Sequence, residues 1–499
     1  MQNLDTSIRN SSLWMIVRLG VSLTVGAVVI TYIIRSLSVE DYGVYTLLYS
    51  LIGYVSVIAS LGIPAAFQRF IPEALQRKEY ALLKQLVLRG LLLRLLLSGV
   101  TIGVMFLFRG PLGRLLKVDG FAGYFGVFAW GIVLSLEASL LTSVLHSLFL
   151  HKYSVVAGTV YLVFRGVCVF ILLQWGWGIR GVLWAEVASW ALWALLQALF
   201  YYVRFVRLHR DGEKTAFPVF RYVRYSGLSS LNELGNSVLS VSTDFFVITA
   251  FLGPGAVAIY AFADRVINLI VRCMPHIVLV DVIRPTFFAK YAQSGDPQHL
   301  ADMFNLLVKI GAFSVFPLAA GMFVLSDRMI TVVFKPEYLA AHPILLILII
   351  FTAINIFAEP TGLVLQAIEQ VQIILYSKVF AVYNLVLELL VIRWFGVMGV
   401  VLVTCSAVLM KNLYCYLYVK KHAGVRADWG GLLAIATNAV VMSLVLWPLR
   451  PLVTGLWSLM LVVCIGVVVY LLVSWVNKAF NAQERSWVNR VSPRPVFVF

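Results

Sequence analysis

Two stretches of this chain carry one pattern: SVLHSLFLHKYS at residues 143–154 and LVLQAIEQVQIILYS at residues 363–377. His146 and Gln366 take the same place in the two stretches, and both stretches end on Tyr-Ser. A match between segments about 220 residues apart indicates an internal duplication.

Three further pairs follow nearly the same offset. They are Gly178–Gly181 with Gly396–Gly399, Gly43–Tyr45 with Ala258–Tyr260, and Pro72 with Pro285. Because each half holds six apolar stretches, an even number, both halves enter the membrane in the same direction. Parallel repeats related by an axis along the membrane normal are a transporter architecture. The duplication therefore predicts two six-helix lobes, related by a pseudo-two-fold axis, with a path between them.

The composition places the chain in a membrane. Of its 499 residues, 61% are hydrophobic and 12% are charged, and a spanning helix needs roughly 20 mostly apolar residues. The predicted spans are 11–34, 42–67, 85–108, 121–150, 154–174, 179–203, 221–250, 255–285, 302–325, 343–370, 372–393, 397–419, 430–449 and 453–476. The gaps are too short to bury a soluble core, and the first span is too long for a signal peptide. The sequence predicts an all-α integral membrane protein with fourteen transmembrane helices.

The duplication and a basic segment divide the chain into five parts. They are the N-lobe 1–203, a cytoplasmic basic linker 204–220, the C-lobe 221–422, predicted helices 13 and 14 in 423–476, and a cytoplasmic tail 477–499. Helices 13 and 14 lie outside the repeat and carry almost no charge within the membrane. We expect them to face lipid or to form the wall of a groove for a lipid tail.

The net charge of +16 is explained by topology, and no nucleic-acid partner is expected. If the N-terminus is inside, Lys and Arg concentrate in the inside loops, including residues 77–84 and the linker, although Arg109, Arg114 and Lys117 run against this bias. The bias predicts an inner-membrane protein with both termini in the cytoplasm.

The cysteines and the first external acids favour structural roles. The five cysteines lie in apolar stretches, without metal-ligand spacing or an evident disulfide pair, so we expect no metal and no bound cofactor. Ser38-Val-Glu-Asp41 has the spacing of a helix cap, and its acids suit a helix N-terminus.

Polar residues inside the apolar stretches recur at helical spacing, so that each set shares one face. In predicted helix eight the set is Arg265, Asn268, Arg272 and His276, with Asp264 beside it. The other sets are Asn232, Asn236, Ser240 and Thr243 of helix seven, with Glu233 and Asp244 at the edges; Ser135, Ser139, Thr142 and His146 of helix four; Asn355, Glu359, Gly362 and Gln366 of helix ten; Tyr45, Tyr49, Ser56 and Ser60 of helix two; and Arg18 and Ser22 of helix one. The sets of helices four and ten correspond at one offset.

Two interpretations of these residues stay open. Ser, Thr and Asn often bond across packed helices without any transport role, whereas Arg18, Arg265 and Arg272 require a water-filled cavity or buried acidic partners. Glu137 is expected to pair with Arg165 or another neighbour. Glu186, Glu388, Lys378 and Lys411 fit either interpretation. Because the guanidinium fork matches phosphate, the arginines favour a ligand with phosphate and sugar parts.

Three segments resemble a known family. Residues 35–48 (RSLSVEDYGVYTLL) and 61–73 (LGIPAAFQRFIPE) resemble the opening of the polysaccharide transporter family, within the multidrug/oligosaccharidyl-lipid/polysaccharide exporter superfamily. Residues 255–264 (GAVAIYAFAD) are similar to that family's entry into helix eight. The resemblance covers nearly the whole chain and implies a flippase, not an enzyme. Such a flippase moves undecaprenyl-diphosphate-linked oligosaccharide from the inner to the outer leaflet for cell-surface polysaccharide assembly, by alternating access.

The resemblance and the polar sets together give candidate site residues. The candidates for substrate binding in a central cavity are Arg18, Tyr45, Tyr49, His146, Asn236, Arg265, Asn268, Arg272, His276 and Gln366. Asp244, Asp264 and Glu359 are candidates for coupling to an H⁺ or Na⁺ gradient. The expected partners are the lipid-linked oligosaccharide, membrane lipids, a polysaccharide polymerase and glycosyltransferases, and the chain is expected to be a monomer.

Other functions stay open. A lipid II flippase also fits Arg18 and Arg265, and a drug or cation antiporter belongs to the same superfamily. A membrane glycosyltransferase using Glu40 or Asp41 is a more distant alternative. The opening at residues 40–45 favours polysaccharide members. The duplicated lobes and the lack of a large external loop argue against the glycosyltransferase.

Overall fold

The structure is a computed structural model that describes residues 20–209, 222, 226–227, 230, 241–272, 297–481 and 484–485. Within these ranges the regular secondary structure is helical, and they contain no strand. This agrees with the prediction of an all-α membrane protein, because only helices and closed barrels satisfy every backbone polar group inside a bilayer.

The chain divides into two compact units, Met1–Ala258 and Ile259–Phe499. The described helices of the first unit are α1 (Gly20–Ser36), α2 (Val39–Ser60), α3 (Ile63–Gln76), α4 (Tyr80–Leu107), α5 (Arg109–Leu115), α6 (Phe121–Ser147), α7 (His151–Gln174), α8 (Gly178–Tyr201) and α9 (Val241–Leu252). A π-helical turn, Tyr202–Val206, continues α8.

Helix α10 (Pro254–Arg272) begins in the first unit and ends in the second. The second unit continues with α11 (Pro297–Val333), α12 (His342–Ile354), α13 (Ala358–Ala367), α14 (Val371–Tyr376), α15 (Val379–His422), α16 (Trp429–Leu446) and α17 (Leu456–Asn477). Short 3₁₀ turns lie at Pro336–Ala341, Asn355–Phe357 and Trp447–Leu452. The boundary between the two compact units lies between Ala258 and Ile259. It does not test the division predicted at residues 204–220, which stays a prediction.

Helical segments coincide with all fourteen predicted spans over the described residues. Eleven of the helices found there are long and apolar enough to cross a membrane, and two shorter apolar ones are α1 and α9. One of the eleven contains α15, which joins predicted spans eleven and twelve across a break at Gly396. The multi-pass membrane protein is confirmed, while the count of fourteen and the two-fold arrangement stay predictions.

Two predicted helices are interrupted. The span predicted at 42–67 ends at Ser60, because Leu61 (φ 39°) and Gly62 (φ 70°) leave the helical region before α3 begins at Ile63. The span predicted at 343–370 is broken by the 3₁₀ turn Asn355–Phe357.

The two glycines of Gly178–Gly181 have the same backbone roles as those of Gly396–Gly399. Gly178 and Gly396 adopt positive φ values of 53° and 55°, which glycine reaches without a steric cost. A Cβ on Gly181 would lie 2.8 Å from the Trp177 Cβ, and one on Gly399 would lie 2.7 Å from the Phe395 Cβ. Each half thus turns at the first glycine and packs tightly against the second.

The helix ends at the quoted stretches also match. The Leu150 N–H donates to the Leu145 carbonyl at 2.8 Å, and the Gln370 N–H donates to the Leu365 carbonyl at 2.8 Å. Phe149 and Glu369, one residue earlier, both have φ 59°. This pattern is a Schellman motif, which satisfies the last carbonyl groups of a helix. The two quoted stretches therefore share one local backbone geometry, while the duplication of whole lobes stays a prediction.

Helix α2 begins as predicted and makes a close contact with the start of α10. The Ser38 side chain accepts the Asp41 N–H at 3.0 Å, so the predicted cap is confirmed. One turn later, a Cβ on Gly43 would overlap the Pro254 carbonyl oxygen. Gly43 is therefore required by the approach of two backbones within the first unit.

Gly43→Ala is expected to destabilise the protein by about 1–3 kcal/mol, the usual effect of overpacking, because a backbone carbonyl cannot rotate away. Gly53→Ala on the same helix is the control, since the nearest atom to its added Cβ, Ser242 Oγ, lies 3.9 Å away. Thermal unfolding in nanodiscs measures both variants. Equal unfolding temperatures for the two would contradict the close approach.

Candidate functional site

A polar row runs along α10 in the second unit. Asn268 and Arg272 are exposed, and Arg265 and Asp264 are half-buried. The Asn268 amide donates to the Asp264 carboxylate at 2.8 Å and to the Asp264 carbonyl at 2.9 Å, and the charges of Arg265 and Arg272 both act on this carboxylate. The row thus combines two guanidinium groups with one carboxylate and one amide. It offers several donors to an anionic ligand.

The same helix contributes to an apolar cavity of about 560 Å³ within the second unit. Ile270 of α10 lines it, two residues from Arg272 and so on nearly the opposite side of the helix. The other lining residues are Phe313, Ser314, Pro317, Leu318, Gly321, Met322, Leu325 and Met329 of α11, Met442 and Leu446 of α16, and Leu459, Val463, Gly466, Val467, Tyr470 and Leu471 of α17.

Helices α16 and α17, predicted helices 13 and 14, form one wall of this cavity. Both expose large apolar side chains elsewhere, such as Leu433 and Trp457. The Tyr470 hydroxyl, at the cavity wall, donates to the Phe313 carbonyl at 2.9 Å. These two helices thus line a cavity and also expose apolar surface, and both expectations for them, a lipid-facing addition and a groove wall, stay predictions.

Tyr45 lies in a buried network of the first unit. Its hydroxyl donates to Glu186 Oε1 at 2.8 Å, and the Arg165 guanidinium binds the same oxygen at 2.6 and 2.8 Å. Glu186 is fully buried. The Tyr49 ring lies 5.9 Å from those of Tyr45 and Trp190. Helices α2, α7 and α8 are joined here by an ion pair, which gives Glu186 a structural contact.

Arg165 therefore pairs with Glu186 and not with Glu137. The cation whose charge acts on Glu137 is Arg94 of α4. Hydrophobic periodicity could not find either partner, because it identifies the buried face of a helix but not its neighbours.

The second unit holds the counterpart of this network. The offset that aligns Ser154 with Ser377 places Arg165 on Glu388, and the offset that aligns Gly181 with Gly399 places Glu186 on Thr404. The Thr404 hydroxyl donates to Glu388 Oε1 at 3.1 Å.

The Glu388 cluster has a different composition from the network of the first unit. The Asn384 amide donates to the same Glu388 oxygen as Thr404 does. Glu388 is fully buried, and the Asn384 Oδ1 atom is buried without a hydrogen-bond partner among the described residues. An arginine–carboxylate pair in one unit thus corresponds to a cluster of carboxylate, amide and hydroxyl in the other, and the sequence sets missed this cluster.

The structure places only some of the polar residues predicted for helices four and ten on the expected helix faces. His146 is half-buried and Gln366 is exposed, at the equivalent ends of α6 and α13. Asn355 leaves its predicted row because it begins the 3₁₀ turn, whose rotation per residue exceeds that of an α-helix. Its side chain instead accepts a hydrogen bond from Asn412 of α15. Glu359 is exposed on α13.

The remaining candidates divide by location. Asp244 is fully buried on α9 of the first unit, whereas Asp264 lies on α10. Arg18, Asn236 and His276 lie outside the described residues. The roles assigned to all the candidate residues stay predictions.

The described residues thus form spanning helices, a basic row on α10 and an apolar cavity. The chain is similar to "Lipid II flippase MurJ, inward closed conformation" (TM-score 0.69, 15% identity, 93% of this chain and 98% of that chain). It is also similar to an inward-facing multidrug resistance MATE family transporter of the MOP superfamily (TM-score 0.65, 17% identity, 81% and 98%). At these identities the likeness shows the fold alone.

The chain belongs to the polysaccharide biosynthesis protein family, whose model matches residues 8–289. It is 22% identical over 452 residues to the probable low-salt glycan biosynthesis flippase Agl15 of Haloferax volcanii, covering 88% of this chain and 90% of that protein. It is 30% identical over 167 residues to the teichuronic acid biosynthesis protein TuaB of Bacillus subtilis, covering 31% and 33%. The predicted family is confirmed, and the chain belongs with transporters rather than with enzymes.

The buried pair of the first unit predicts a double-mutant cycle. Arg165→Met alone, or Glu186→Gln alone, is expected to cost about 3–5 kcal/mol, because each leaves the other group buried without its charged partner. The double variant is expected to lose much less than the sum. Thermal unfolding in nanodiscs measures the cycle, with the exposed Arg180→Met as the control. Additive losses would show that the pair is not coupled.

Proposed function

We propose that this chain is a flippase that moves undecaprenyl-diphosphate-linked oligosaccharide from the inner to the outer leaflet for cell-surface polysaccharide assembly. Its family and its likeness to a glycan biosynthesis flippase over most of both chains support a lipid-linked glycan as the substrate. The fold resembles those of a lipid II flippase and of MATE family transporters in inward-facing and outward-facing conformations, which supports alternating access as the mechanism.

The two-sided chemistry of α10 carries the proposal. A lipid-linked sugar diphosphate has an anionic, hydroxyl-rich head and a long apolar tail, which prefer opposite environments. Arg265, Asn268 and Arg272 supply donors for the head, while Ile270 faces the apolar cavity. One helix thus contacts both parts of one substrate without burying the charge in the apolar region.

The binding energy of each part has a different origin. The arginines bind the diphosphate through charge-assisted hydrogen bonds, which are roughly twice as strong as neutral ones. The cavity of about 560 Å³ takes part of the tail, and the rest of the tail stays in the bilayer during the movement of the head. Lipid tails are as apolar as the cavity wall, so shape complementarity and packing hold the tail there.

A cation gradient is proposed to drive the cycle. Acids within spanning helices are costly and often mark proton or ion sites, which supports Asp244, Asp264 and Glu359 as candidates. Glu388 is a further candidate, because its carboxylate lies with the Thr404 hydroxyl and with a buried Asn384 amide oxygen. Carboxylate, amide and hydroxyl oxygens are ligands that hard cations accept.

The location and partners follow from the same proposal. The loop charges support an inner-membrane protein with both termini in the cytoplasm. The oligosaccharide would then come from glycosyltransferases on that side and pass to a polymerase on the other. A monomer suffices, because head and tail are bound by one chain.

Both the basic row of α10 and the apolar cavity are expected to be needed for flipping in proteoliposomes that contain undecaprenyl-diphosphate-linked oligosaccharide. Arg272→Ala removes a charged donor, and such hydrogen bonds contribute about 1.5–3 kcal/mol, so the flipping rate should fall about tenfold or more. Gly321→Phe fills the cavity and should slow flipping similarly. The exposed positions Arg180→Ala and Leu461→Phe are the matched controls.

The same vesicles distinguish the alternatives. Full flipping by the combined Arg265→Ala and Arg272→Ala variant would overturn the proposed role of the row. Transport of lipid II in place of the oligosaccharide would identify a lipid II flippase. Gradient-driven export of organic cations without lipid movement would identify an antiporter.

Coupling predicts that an imposed H⁺ or Na⁺ gradient accelerates flipping by the wild-type chain and not by Glu388→Gln, because the amide keeps the shape but loses the charge. Glu337→Gln, an exposed acid of the same unit, is the control. Equal wild-type rates with and without either gradient would show that transport is passive.

A further inference from the structure

Lys309 of α11 lies in an ion cluster outside the site described above. Its side chain is only 3% exposed, and its ammonium lies 2.6 Å from Asp428 Oδ2 and 2.9 and 3.0 Å from the two carboxylate oxygens of Glu484. Asp428 directly precedes α16, and Glu484 follows α17 by seven residues. One buried cation thus joins three segments that are far apart in sequence.

Both carboxylates are held in place by backbone contacts. Asp428 caps α16 by accepting the Gly431 N–H at 3.1 Å, and its own N–H donates to the Asn305 side chain at 2.8 Å. Glu484 and Asn481 exchange reciprocal bonds of 2.8 Å, each side chain accepting the other's backbone N–H, as in a capping box. These contacts therefore hold both carboxylates in position to bind the Lys309 ammonium.

The space around the ammonium is fitted to it. A Cβ on Gly431 would overlap Lys309 Cε and lie 2.8 Å from Nζ. The hydrogen bond from Lys309 lowers the pKa of the Asp428 carboxyl, so this acid stays charged at neutral pH. Breaking the buried Lys309–Glu484 pair would leave an uncompensated charge, so this contact holds the segment after α17 against α11. The contact with Asp428, whose side chain is 43% exposed, contributes less.

All three segments belong to or adjoin helices that line the apolar cavity. Lys309 lies one turn before Phe313 of α11, Asp428 begins α16, and Glu484 follows the end of α17. The Phe480 ring packs edge-on against Phe313 at 5.7 Å, between the ion cluster and the cavity wall. A shift of either acid therefore displaces an end of a cavity-lining helix.

We propose that Lys309 is a positioning residue: its contacts with Asp428 and Glu484 form a latch that fixes α11, α16 and α17 at one end of the apolar cavity and so sets its fit for a lipid tail. The part concerning the tail rests on the proposed function, whereas the latch itself does not. Lys309 touches no substrate in this proposal.

Proteolysis tests the latch in the full chain in nanodiscs. Lys309→Met removes the cation, and Gly431→Ala pushes the ammonium away without changing any charge. Both are expected to raise the rate of trypsin cleavage after Arg485 about tenfold, since cleavage follows the population of the open form. The exposed Lys420→Met is the control and should stay near the wild-type rate. An unchanged rate in both Lys309→Met and Gly431→Ala would overturn the proposal.

Binding of undecaprenyl phosphate to the same samples tests the consequence for the cavity. The Kd is expected to rise about tenfold, equivalent to about 1.4 kcal/mol, in Lys309→Met and Gly431→Ala, and to stay unchanged in Lys420→Met. An unchanged Kd beside faster cleavage would overturn the positioning role. If the wild-type chain does not bind this probe, the proposed tail site fails, and the cleavage contrast alone decides whether the latch exists.

Discussion

A charged side chain inside a bilayer has no bulk water to solvate it, so a buried charge in this protein must meet its partner on a neighbouring segment. In the first unit, Arg165 of α7 meets Glu186 of α8 and Tyr45 of α2. In the second unit, Lys309 meets two acids from segments beside α16 and α17. Apolar packing between helices gives little preference for one neighbour over another when lipid is equally apolar. These ionic contacts therefore select which helices pack together.

The two halves that the sequence predicts to be duplicated share several backbone features and differ in their polar side chains. The positive-φ glycines, the crowded glycines and the Schellman turns recur at equivalent positions, because each half must turn and stack its helices in the same way. The equivalents of Arg165 and Glu186 are instead Glu388 and Thr404. A turn can be built from few backbone conformations. A buried polar cluster requires only that its donors and acceptors bond to one another. A duplicated scaffold can thus carry different chemistry in its two halves.

The sequence predicts helix positions well and helix neighbours poorly. Hydropathy finds the spans because the thickness of the bilayer fixes their length. Gly62 and Pro64 are a local signal for the break after Ser60. The apolar residues on both sides nevertheless made the stretch look like one continuous span. The 3₁₀ turn at Asn355 had no comparable signal, since the amide contact with Asn412 spans 57 residues. The Lys309 cluster was equally hidden, because its acids lie in predicted loops.

The placement of the basic row and the cavity on α10 has a consequence for selectivity. A row of arginines alone would bind any sugar phosphate, and an apolar cavity alone would bind any lipid. When Ile270 and Arg272 belong to one helix, the distance between the two binding regions is fixed by the rise of about 1.5 Å per residue and by the rotation of about 200° between these residues. A substrate gains from both regions only if its charge lies at the junction of head and tail. In the proposed function, joining the two by one helix therefore favours lipid-linked diphosphates over free sugar phosphates and over ordinary lipids.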